Sequence, residues 1–294
     1  MRILCIVHVF YPELWPELAG CIRNLDEPFD LVVTCVDGAD DISDMVLRDF
    51  PRARILRCED RGFDVWPFLK ALEGTDLSAY DLLVKLHTKR DLPEPLVFNG
   101  MVYSGAKWRE SLLSFIKTPE AWARSKARIL SDERIKMVAA ADCILRRRDS
   151  PWPQSRAGFD EGLAICRRLG IRPVNPQFVG GTMFAARPAI FKPLVGAFSA
   201  ADFEGAAAHT TSTTAHYVER AIGFCATADG GRISDPDGRL AAIRLRRGLS
   251  AAVRKAGRAV FQIKRKNGRN TVKVFKIPVL SWRQEPSAKE ETGR

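Results

Sequence analysis

Short apolar runs alternate with helix-like segments along the first third of this 294-residue chain. A continuous apolar run of about four to eight residues predicts a buried strand, and apolar residues recurring every three or four positions predict a helix. The predicted strands are residues 3–10, 30–36, 53–58 and 82–86. The predicted helices are residues 13–24, residues 42–50 and a segment that follows Asp64 and runs through Leu72. This alternation is typical of an α/β protein with a parallel sheet.

The pattern loosens after Asp91, where prolines and glycines interrupt the apolar runs. Residues 92–100 and 146–158 are therefore expected to form loops. The helices predicted in this part are residues 107–116, 119–130, 160–169, 188–198 and 213–224. Residues 135–140 predict a strand. The run from Phe178 to Ala186 predicts a strand or bulge whose glycines permit close approach of a ligand or of another backbone.

The chain is expected to fold as one domain with an appendage. The predicted parts are a domain of residues 1–228, a turn-rich linker of residues 229–238, a basic segment of residues 239–284 and a disordered tail of residues 285–294. Seven cysteines are scattered singly in apolar runs, which predicts buried free thiols in a reducing compartment. No apolar run approaches the length of a membrane span. The first residues are expected to form a strand and not a signal peptide.

The net charge of +11 is concentrated near the C-terminus. Residues 239–276 contain 13 lysines and arginines and no acidic residue, which leaves the rest of the chain near neutral. Apolar residues recur there near helical spacing, from Leu245 to Ile263, so a basic amphipathic helix on an anionic membrane is the first interpretation. A solvated surface of no consequence is another. Nucleic-acid binding has little support, because only Phe261 and Phe275 interleave with the charges.

Polar residues follow each of the first four predicted strands. In an open α/β sheet these ends meet at one edge, where ligands bind. No G-x-G-x-x-G or G-x-x-x-x-G-K-[ST] motif is present, which argues against a dinucleotide oxidoreductase and a P-loop enzyme. The residues at the strand ends are His8 and Tyr11, then Asp37, then Arg61, Gly62 and Asp64, then His87, Thr88 and Lys89.

The order of these strand ends resembles the nucleotide-binding half of a GT-A glycosyltransferase. In that resemblance Asp37 contacts the base or ribose, and the turn at Arg61 and Gly62 lies under the nucleotide. Enzymes of that fold usually carry Asp-x-Asp, which holds a divalent metal, where this chain has the triplet from His87 to Lys89. Because this triplet lacks the carboxylate oxygens that a hard cation prefers, we expect no metal and no cofactor beyond a nucleotide-sugar co-substrate.

A closer resemblance is carried by six motifs in order. They are HVFYPELW (8–15), RGFDVWPFLKAL (61–72), YDLLVKLHTK (80–89), G-x-x-WR (105–109), GGTMFAARP (180–188) and AHYVER (215–220). Over roughly the first 225 residues the chain is similar to the rhamnan synthesis protein F family of bacterial surface polysaccharide assembly. The chain departs from the family pattern at Phe63, where the family has arginine, and in residues 206–214.

The resemblance implies a glycosyltransferase that moves rhamnose or a related sugar, with dTDP-rhamnose as the favoured donor, to a lipid-linked glycan. It also implies a cytoplasmic protein, peripheral on the inner face of the membrane. A non-catalytic, membrane-tethered interaction protein of a polysaccharide-assembly complex is the alternative. Glu219 is the favoured general base, ahead of Asp202, Glu204 and Asp160, although a salt bridge to Arg220 would explain it equally well.

Positive charge and hydrogen-bond donors must stabilise a departing diphosphate, and His87, Lys89 and Arg220 are the candidates for that role. No residue is predicted to ligate a metal. The full set of expected substrate-binding residues is His8, Tyr11, Asp37, Arg61, Gly62, Asp64, Thr88, Trp108, Arg109, Gly181, Thr182, Met183, His216 and Arg220.

Overall fold

The computed structural model describes residues 1–37, 42–98, 101–149, 153–205, 213–249, 261–266, 269–274 and 277–283. In chain order its strands are β1 (Ile3–Val9), β2 (Phe29–Val36), β3 (Arg54–Cys58), β4 (Leu82–His87), β5 (Leu92–Phe98), β6 (Met101–Gly105), β7 (Ile135–Val138), β8 (Ile144–Leu145), β9 (Phe178–Val179), β10 (Phe184–Ala186), β11 (Arg232–Ser234), β12 (Phe261–Lys266), β13 (Arg269–Val274) and β14 (Ile277–Arg283). Its helices are α1 (Trp15–Ile22), α2 (Ser43–Asp49), α3 (Val65–Glu73), α4 (Lys107–Leu113), α5 (Pro119–Leu130), α6 (Pro153–Arg168) and α7 (Thr214–Cys225), and residues 240–249 are also helical.

The main sheet has the strand order β11-β7-β10-β4-β1-β2-β3. Neighbouring strands are parallel except at β10, which runs antiparallel to both β4 and β7. Every residue of β1 is buried, as expected for a central strand with helices on both faces. The predicted α/β class with a mostly parallel sheet is confirmed.

The strand order reverses between β1 and β4. The chain adds β2 and β3 on one side of β1 and then returns to place β4 on the other side. A crevice opens at such a switch point, beyond the carboxyl ends of the two strands. The register places His8 of β1 opposite His87 of β4 at this point. The predicted polar strand ends therefore meet where an α/β sheet binds its ligand.

Two regions that the sequence predicts as loops contain regular structure. Strands β5 and β6 form an antiparallel hairpin in the predicted loop after Asp91, with a register shift between Leu92 and Leu96. The prolines there misled the prediction, but a strand paired on one side tolerates residues without an N–H. Helix α6 begins at Pro153, inside the predicted loop 146–158, since proline is well accommodated in a first helical turn.

The predicted strand or bulge from Phe178 to Ala186 is two strands in two different sheets. Strand β9 pairs with β8, and β10 joins the main sheet between β4 and β7. The turn between them contains Gly181 and Thr182, both with positive φ. The glycines therefore mark a turn at the edge of the main sheet.

The chain divides into two compact units, Met1–Ile243 and Arg244–Arg294. Strand β11 pairs with β7 in the main sheet, so the segment predicted as a linker contributes a strand to the first unit. The three-residue strand is flanked by turn residues, which concealed it in the sequence. All seven cysteines are free and buried. In the described ranges no helix is both long and apolar enough to cross a bilayer.

In the second unit, β12, β13 and β14 form an antiparallel sheet. The predicted amphipathic helix reached Ile263, but this residue lies in β12, opposite Val272 of β13. The three strands contain the β-branched residues Ile263, Thr271, Val272, Val274, Ile277 and Val279, which favour a strand over a helix. The helical part covers residues 240–249, and the predicted disordered tail, residues 285–294, lies outside the described residues.

Candidate functional site

Two adjoining cavities open at the carboxyl edge of β1 and β4. The strand-end cavity has a volume of about 410 Å³ and the Glu219 cavity one of about 260 Å³. Phe63, Asp64, His87 and Lys89 line both, so we treat the two as one cleft. The strand-end cavity is also lined by His8, Phe10, Tyr11, Asp60, Arg61, Gly62, Thr88, Arg90, Asp91, Glu204 and Gly205. The Glu219 cavity is also lined by Val65, Trp108, Gly181, Thr182, Ala215, His216 and Glu219.

A larger cavity of about 530 Å³ lies elsewhere, beside α4. Its acidic residues already have structural partners. The carboxylate of Asp235 accepts hydrogen bonds from the backbone N–H groups that start the helix of residues 240–249, and Asp237 pairs with Arg124 and Arg239. The cleft at β1 and β4 is the better candidate site, because it lies beyond the carboxyl ends of two parallel strands at the switch point of the sheet.

The floor of the cleft is a buried ion pair between Lys85 and Asp64. Lys85 lies inside β4 with its side chain 1% exposed. Its ammonium donates to Asp64 Oδ2, to the carbonyl oxygen of Thr182 at 3.1 Å and to the Thr182 hydroxyl at 2.9 Å. An ammonium has three N–H donors, so this buried charge is fully hydrogen-bonded. Sequence reasoning missed Lys85, although a lysine inside the apolar run LLVKLH was a usable signal.

The ion pair holds Asp64 in its ionised form. Burial alone would raise the pKa of Asp64, but the neighbouring His87 and Lys85, together with hydrogen bonds from Lys85 and Thr182, hold that pKa well below its usual value. Burial lowers the pKa of Lys85, and Asp64 opposes that shift. Asp64 is therefore charge-balanced by the protein itself.

Two histidines flank the pair, and burial keeps both rings neutral near pH 7. Burial lowers the pKa of His87 to about 3 and that of His8 to about 4. His8 Nδ1 lies 3.0 Å from the Thr34 hydroxyl. His87 Nδ1 lies 3.5 Å from Asp64 Oδ2 and has no hydrogen-bond partner within the described residues. His87 therefore lines both cavities as a neutral imidazole and brings no positive charge to the cleft.

Thr88 joins the ends of β1 and β4. Its hydroxyl oxygen accepts hydrogen bonds from the backbone N–H groups of Phe10, at 2.9 Å, and Tyr11, at 3.0 Å. Both lone pairs of the hydroxyl are thereby used, and only its O–H remains for a ligand. The predicted substrate contact is, first of all, a structural link at the rim of the strand-end cavity.

Two cations of the cleft have no carboxylate partner in the part of the chain that the structure describes. Lys89 is half-buried between the two cavities, and its ammonium makes no hydrogen bond or ion pair there. Arg61 is exposed and donates to the carbonyl oxygen of Phe203 at 2.9 Å. In contrast, Arg90 pairs with Glu13 and lies over the ring of Tyr11. Lys89 and Arg61 can therefore offer positive charge to an anion.

Glu219 faces the cleft from α7, opposite the strand ends. Its Oε1 accepts a hydrogen bond from the Gly181 N–H at 2.9 Å, and its side chain is 15% exposed. On the same helix His216 Nδ1 lies 2.6 Å from the Thr213 hydroxyl, and burial lowers the pKa of His216. The Glu219 cavity thus combines a carboxylate with a neutral imidazole.

Two pairs of consecutive left-handed residues lie at the cleft. Gly62 (φ 62°) is followed by Phe63 (φ 54°), and Gly181 (φ 83°) by Thr182 (φ 44°). A Cβ on Gly62 would lie 2.7 Å from a ring atom of Phe203. Positive φ is especially unfavourable for a β-branched residue such as Thr182. Strained residues of this kind persist where surrounding contacts hold them, and they occur often at functional sites.

Four of the predicted site residues do not line the cleft as expected. Arg220 is buried against α6, with its guanidinium 5.0 Å from the centre of the Phe178 ring, and lies outside both cavities. Met183 is fully buried in the core. Asp37 is exposed at the end of β2 and lines neither cavity. Arg109 pairs with Glu17 and Asp91 and donates to the Lys89 carbonyl oxygen at 3.0 Å, so it supports the loop that carries Lys89.

The alternative bases are placed less favourably than Glu219. Asp160 is exposed and pairs with Arg147 at 2.6 Å, away from the cleft. Asp202 closes a capping box with Ser199. Glu204 does line the strand-end cavity, but its carboxylate accepts a hydrogen bond from the Thr214 N–H at 3.0 Å. Of these carboxylates, Glu219 and Glu204 are the two that face the cleft.

Within the described ranges, the switch-point cleft thus combines two cations that lack a carboxylate partner with a facing carboxylate, at the place where open α/β sheets bind their ligands. The chain belongs to the rhamnan synthesis protein F family, whose model matches residues 1–230. This confirms the resemblance found in the six sequence motifs.

Curated relatives in two strains of Xanthomonas campestris pv. campestris are called uncharacterized protein WxcX. Each is 25% identical over 236 residues, which cover 78% of this chain and 32% of the relative. The chain thus spans about a third of the length of these relatives. Residues 1–349 of S. aureus TarS, known from a crystal structure, align with a TM-score of 0.41 and 12% identity over 80% of this chain and 58% of that chain. A likeness at this level does not establish shared chemistry.

Proposed function

We propose that this chain is a glycosyltransferase that moves a sugar from a nucleoside diphosphate sugar to a growing surface polysaccharide. The observation that carries the proposal is the position of Lys89, a cation between the two cavities of the cleft that has no ion-pair partner among the described residues. A donor with its diphosphate beside Lys89 would extend its nucleoside into the strand-end cavity and its sugar toward Glu219. Membership of a family named for rhamnan synthesis supports this assignment.

The departing diphosphate needs positive charge and hydrogen-bond donors in the transition state. Lys89 and Arg61 supply charge, and the buried His87 supplies a hydrogen bond without charge. Lysine binds phosphate as a point charge, and an arginine held by one nitrogen keeps further N–H groups for a second oxygen. The proton of the attacking acceptor hydroxyl goes to Glu219, a carboxylate that lines the Glu219 cavity and is oriented by the Gly181 N–H at Oε1 and by Arg220 at Oε2.

Donor binding without a divalent metal is part of the proposal. No group of three or more His, Cys, Asp or Glu side chains that could hold a metal occurs within the described ranges. At the floor of the cleft, Asp64 Oδ2 already accepts from Lys85 and from the Thr182 hydroxyl. These residues do not fit a hard cation, which needs several free oxygen ligands. The fixed cations of the cleft would neutralise the diphosphate instead.

The donor and acceptor are inferred from the family. Rhamnose, carried by dTDP, is the first sugar to test, and a lipid-linked glycan is the proposed acceptor. The Glu219 cavity suits a sugar ring, because Trp108 and His216 line it beside the carboxylate. Aromatic faces and single hydrogen-bonding groups are typical of pockets that orient a small polar ligand.

The second unit supports a further proposal, contact with an anionic membrane on the cytoplasmic side. Residues directly opposite in neighbouring strands share a face of a sheet. The register of β12, β13 and β14 therefore places five basic residues on one face, namely Lys264, Lys266, Arg269, Lys273 and Arg283. Lys266, Arg269 and Arg283 occupy one row across all three strands.

Like charges directly opposite one another are destabilising, and an anionic surface relieves that repulsion. The aromatic Phe261 and Trp282 fall on the other face, by the same register. Binding of single-stranded nucleic acid relies on aromatic residues interleaved with the charges, and the described residues on this face include no aromatic residue. We therefore favour phospholipid headgroups as its partner.

The experiment that tests the glycosyltransferase proposal is a thermal-shift panel of UDP, GDP and dTDP sugars with EDTA present. A ligand at a hundred times its dissociation constant adds about 2.7 kcal/mol of stability. We expect a nucleoside diphosphate sugar to raise the melting temperature and to be hydrolysed slowly in the absence of acceptor. If no member of the panel raises it, the cleft does not hold a nucleotide sugar, and the non-catalytic interaction protein becomes the better account.

A further inference from the structure

We propose that Lys85 is a positioning residue for Glu219, acting through the turn formed by Gly181 and Thr182. The inference rests on the proposed function, because glycosyl transfer is what gives Glu219 its role as a base. It concerns a buried lysine that lies beneath the cleft and whose contacts extend to the catalytic carboxylate.

Lys85 is enclosed on every side. In β4 it lies opposite Ile6 of β1 and Phe184 of β10, and its ammonium is 5.4 Å from the centre of the Phe68 ring. Two of its three hydrogen bonds go to Thr182, one to the carbonyl oxygen and one to the hydroxyl. The third goes to Asp64, which also accepts from the Thr182 hydroxyl. The ammonium therefore fixes both the backbone and the side chain of Thr182.

The turn that Lys85 holds is one the backbone does not favour. Gly181 and Thr182 are consecutive left-handed residues, and threonine rarely adopts this conformation. A Cβ on Gly181 would lie 2.6 Å from a methyl carbon of Leu112, so the turn is also packed tightly from the other side. Such a conformation persists when surrounding contacts over-determine it. Lys85 and Asp64 supply those contacts on the sheet side.

This turn also fixes the position of the Glu219 carboxylate. The Gly181 N–H points at Glu219 Oε1, and the contact is 2.9 Å long. Rotation of the Gly181 peptide would remove this hydrogen bond and leave the carboxylate with Arg220, whose nearest nitrogen is 3.6 Å from Oε2. The sequence of contacts therefore runs from Lys85 to Thr182, then to Gly181, then to Glu219.

The stability of the fold alone does not explain why a lysine is buried at position 85. A buried ion pair replaced by apolar groups of similar volume is often as stable as the original. A charge with three fixed donors, in contrast, defines the geometry of the groups it binds. The pair is thus better explained by the position of the turn than by the stability of the sheet.

The test compares three full-length variants with the wild type. Lys85→Met/Asp64→Asn removes both charges and keeps the shapes, which avoids an unpaired buried carboxylate. Lys85→Met alone shows the cost of leaving Asp64 unpaired. Lys126→Met is the control, because Lys126 pairs with Asp26 and Glu27 away from the cleft. The readouts are melting temperature, amide hydrogen exchange at Gly181, and kcat and KM for the nucleotide sugar.

We expect the double variant to melt near the wild-type temperature while the Gly181 amide loses protection by about fivefold to tenfold, as for one lost hydrogen bond. Its kcat falls by about tenfold to a hundredfold with KM nearly unchanged, because the base is misplaced and not removed. Lys126→Met keeps wild-type exchange and kcat.

Unchanged exchange at Gly181 in a folded double variant would overturn the positioning role, whether or not the protein has activity. Wild-type kcat despite altered exchange would overturn it as well. If wild-type protein turns over no nucleotide sugar, the proposed function fails separately, and the exchange measurement still decides whether Lys85 holds the turn.

Discussion

His8 and His87 lie directly opposite each other in neighbouring parallel strands, and burial keeps both rings neutral near pH 7. His87 lies between Lys85 and Lys89 along the chain, with its Nδ1 3.5 Å from Asp64 Oδ2, so an uncharged imidazole follows the lysine of the ion pair and precedes the lysine at the rim. The cleft therefore separates two kinds of positive charge, one compensated at its floor and one uncompensated at its rim. This separation suits a ligand whose negative charge lies at the rim.

The two histidines predict acid destabilisation above the usual carboxylate range. A histidine whose folded pKa is about 3 or 4 and whose unfolded pKa is about 6.5 binds fewer protons in the folded state. The free energy of unfolding should therefore fall as pH decreases from about 6.5 toward 4. The lowered pKa of Asp64 adds a loss of stability at still lower pH.

The measurement is the melting temperature of wild type and of His87→Gln between pH 4 and 8. The variant should lose less stability than wild type on acidification, since glutamine does not titrate. Parallel curves for the two proteins would show that His87 is not held neutral by burial.

Gly62 and Gly105 provide a matched test of strain at the cleft. Both have positive φ, but a Cβ on Gly62 would lie 2.7 Å from Phe203, whereas Gly105 has open space around it. Gly105→Ala should cost about 1–2 kcal/mol, from the left-handed backbone alone. Gly62→Ala should cost more, because Phe203 and Trp66 must also move. Urea denaturation gives both values, and equal losses would contradict the contact with Phe203.

The strands of the first third and their polar ends were predictable, because continuous apolar runs are a strong signal and carboxyl ends of parallel strands share an edge. Lys85 was missed because it lies inside such a run, where sequence does not reveal a partner. The Gly181 N–H was missed because any residue but proline has one. Arg220 was expected to bind the departing diphosphate, but it is buried against α6 and its guanidinium pairs with Glu219 Oε2 at 3.6 Å, which is the salt bridge that the sequence left open as an alternative.

Glu219→Gln tests the base. The substitution keeps the size of the side chain and removes the charge that accepts a proton. Turnover should fall by about 10²–10⁴-fold with nucleotide affinity retained, as expected for lost general base catalysis. Asp160→Asn, an exposed carboxylate outside the cleft, should leave turnover unchanged. Undiminished turnover in Glu219→Gln would transfer the role to Glu204, the other of the candidate carboxylates that faces the cleft.

Vesicle binding tests the basic face of the second unit. Glutamine at all five face positions should abolish binding to anionic vesicles at low salt, since each basic residue near such a surface contributes about 1 kcal/mol. A control variant loses five other basic residues of the segment and should retain more binding. Its positions are Arg246, Arg254, Lys255, Arg258 and Lys276. Equal losses would mean that net charge and not the face matters, and wild-type protein that ignores anionic vesicles would contradict membrane contact altogether.

The central claim, a nucleoside diphosphate held at Lys89 without a metal, is tested most directly by titration calorimetry of the panel's best nucleotide sugar with EDTA present. A charge-assisted contact contributes about 1.5–3 kcal/mol, so Lys89→Ala should weaken binding by about one to two decades. The control is Lys107→Ala, which removes a lysine beside the larger cavity at α4 and should not weaken binding. Wild-type affinity should be the same with EDTA as with magnesium. Equal affinity of Lys89→Ala and wild type, or binding that EDTA abolishes and magnesium or manganese restores, would contradict this account.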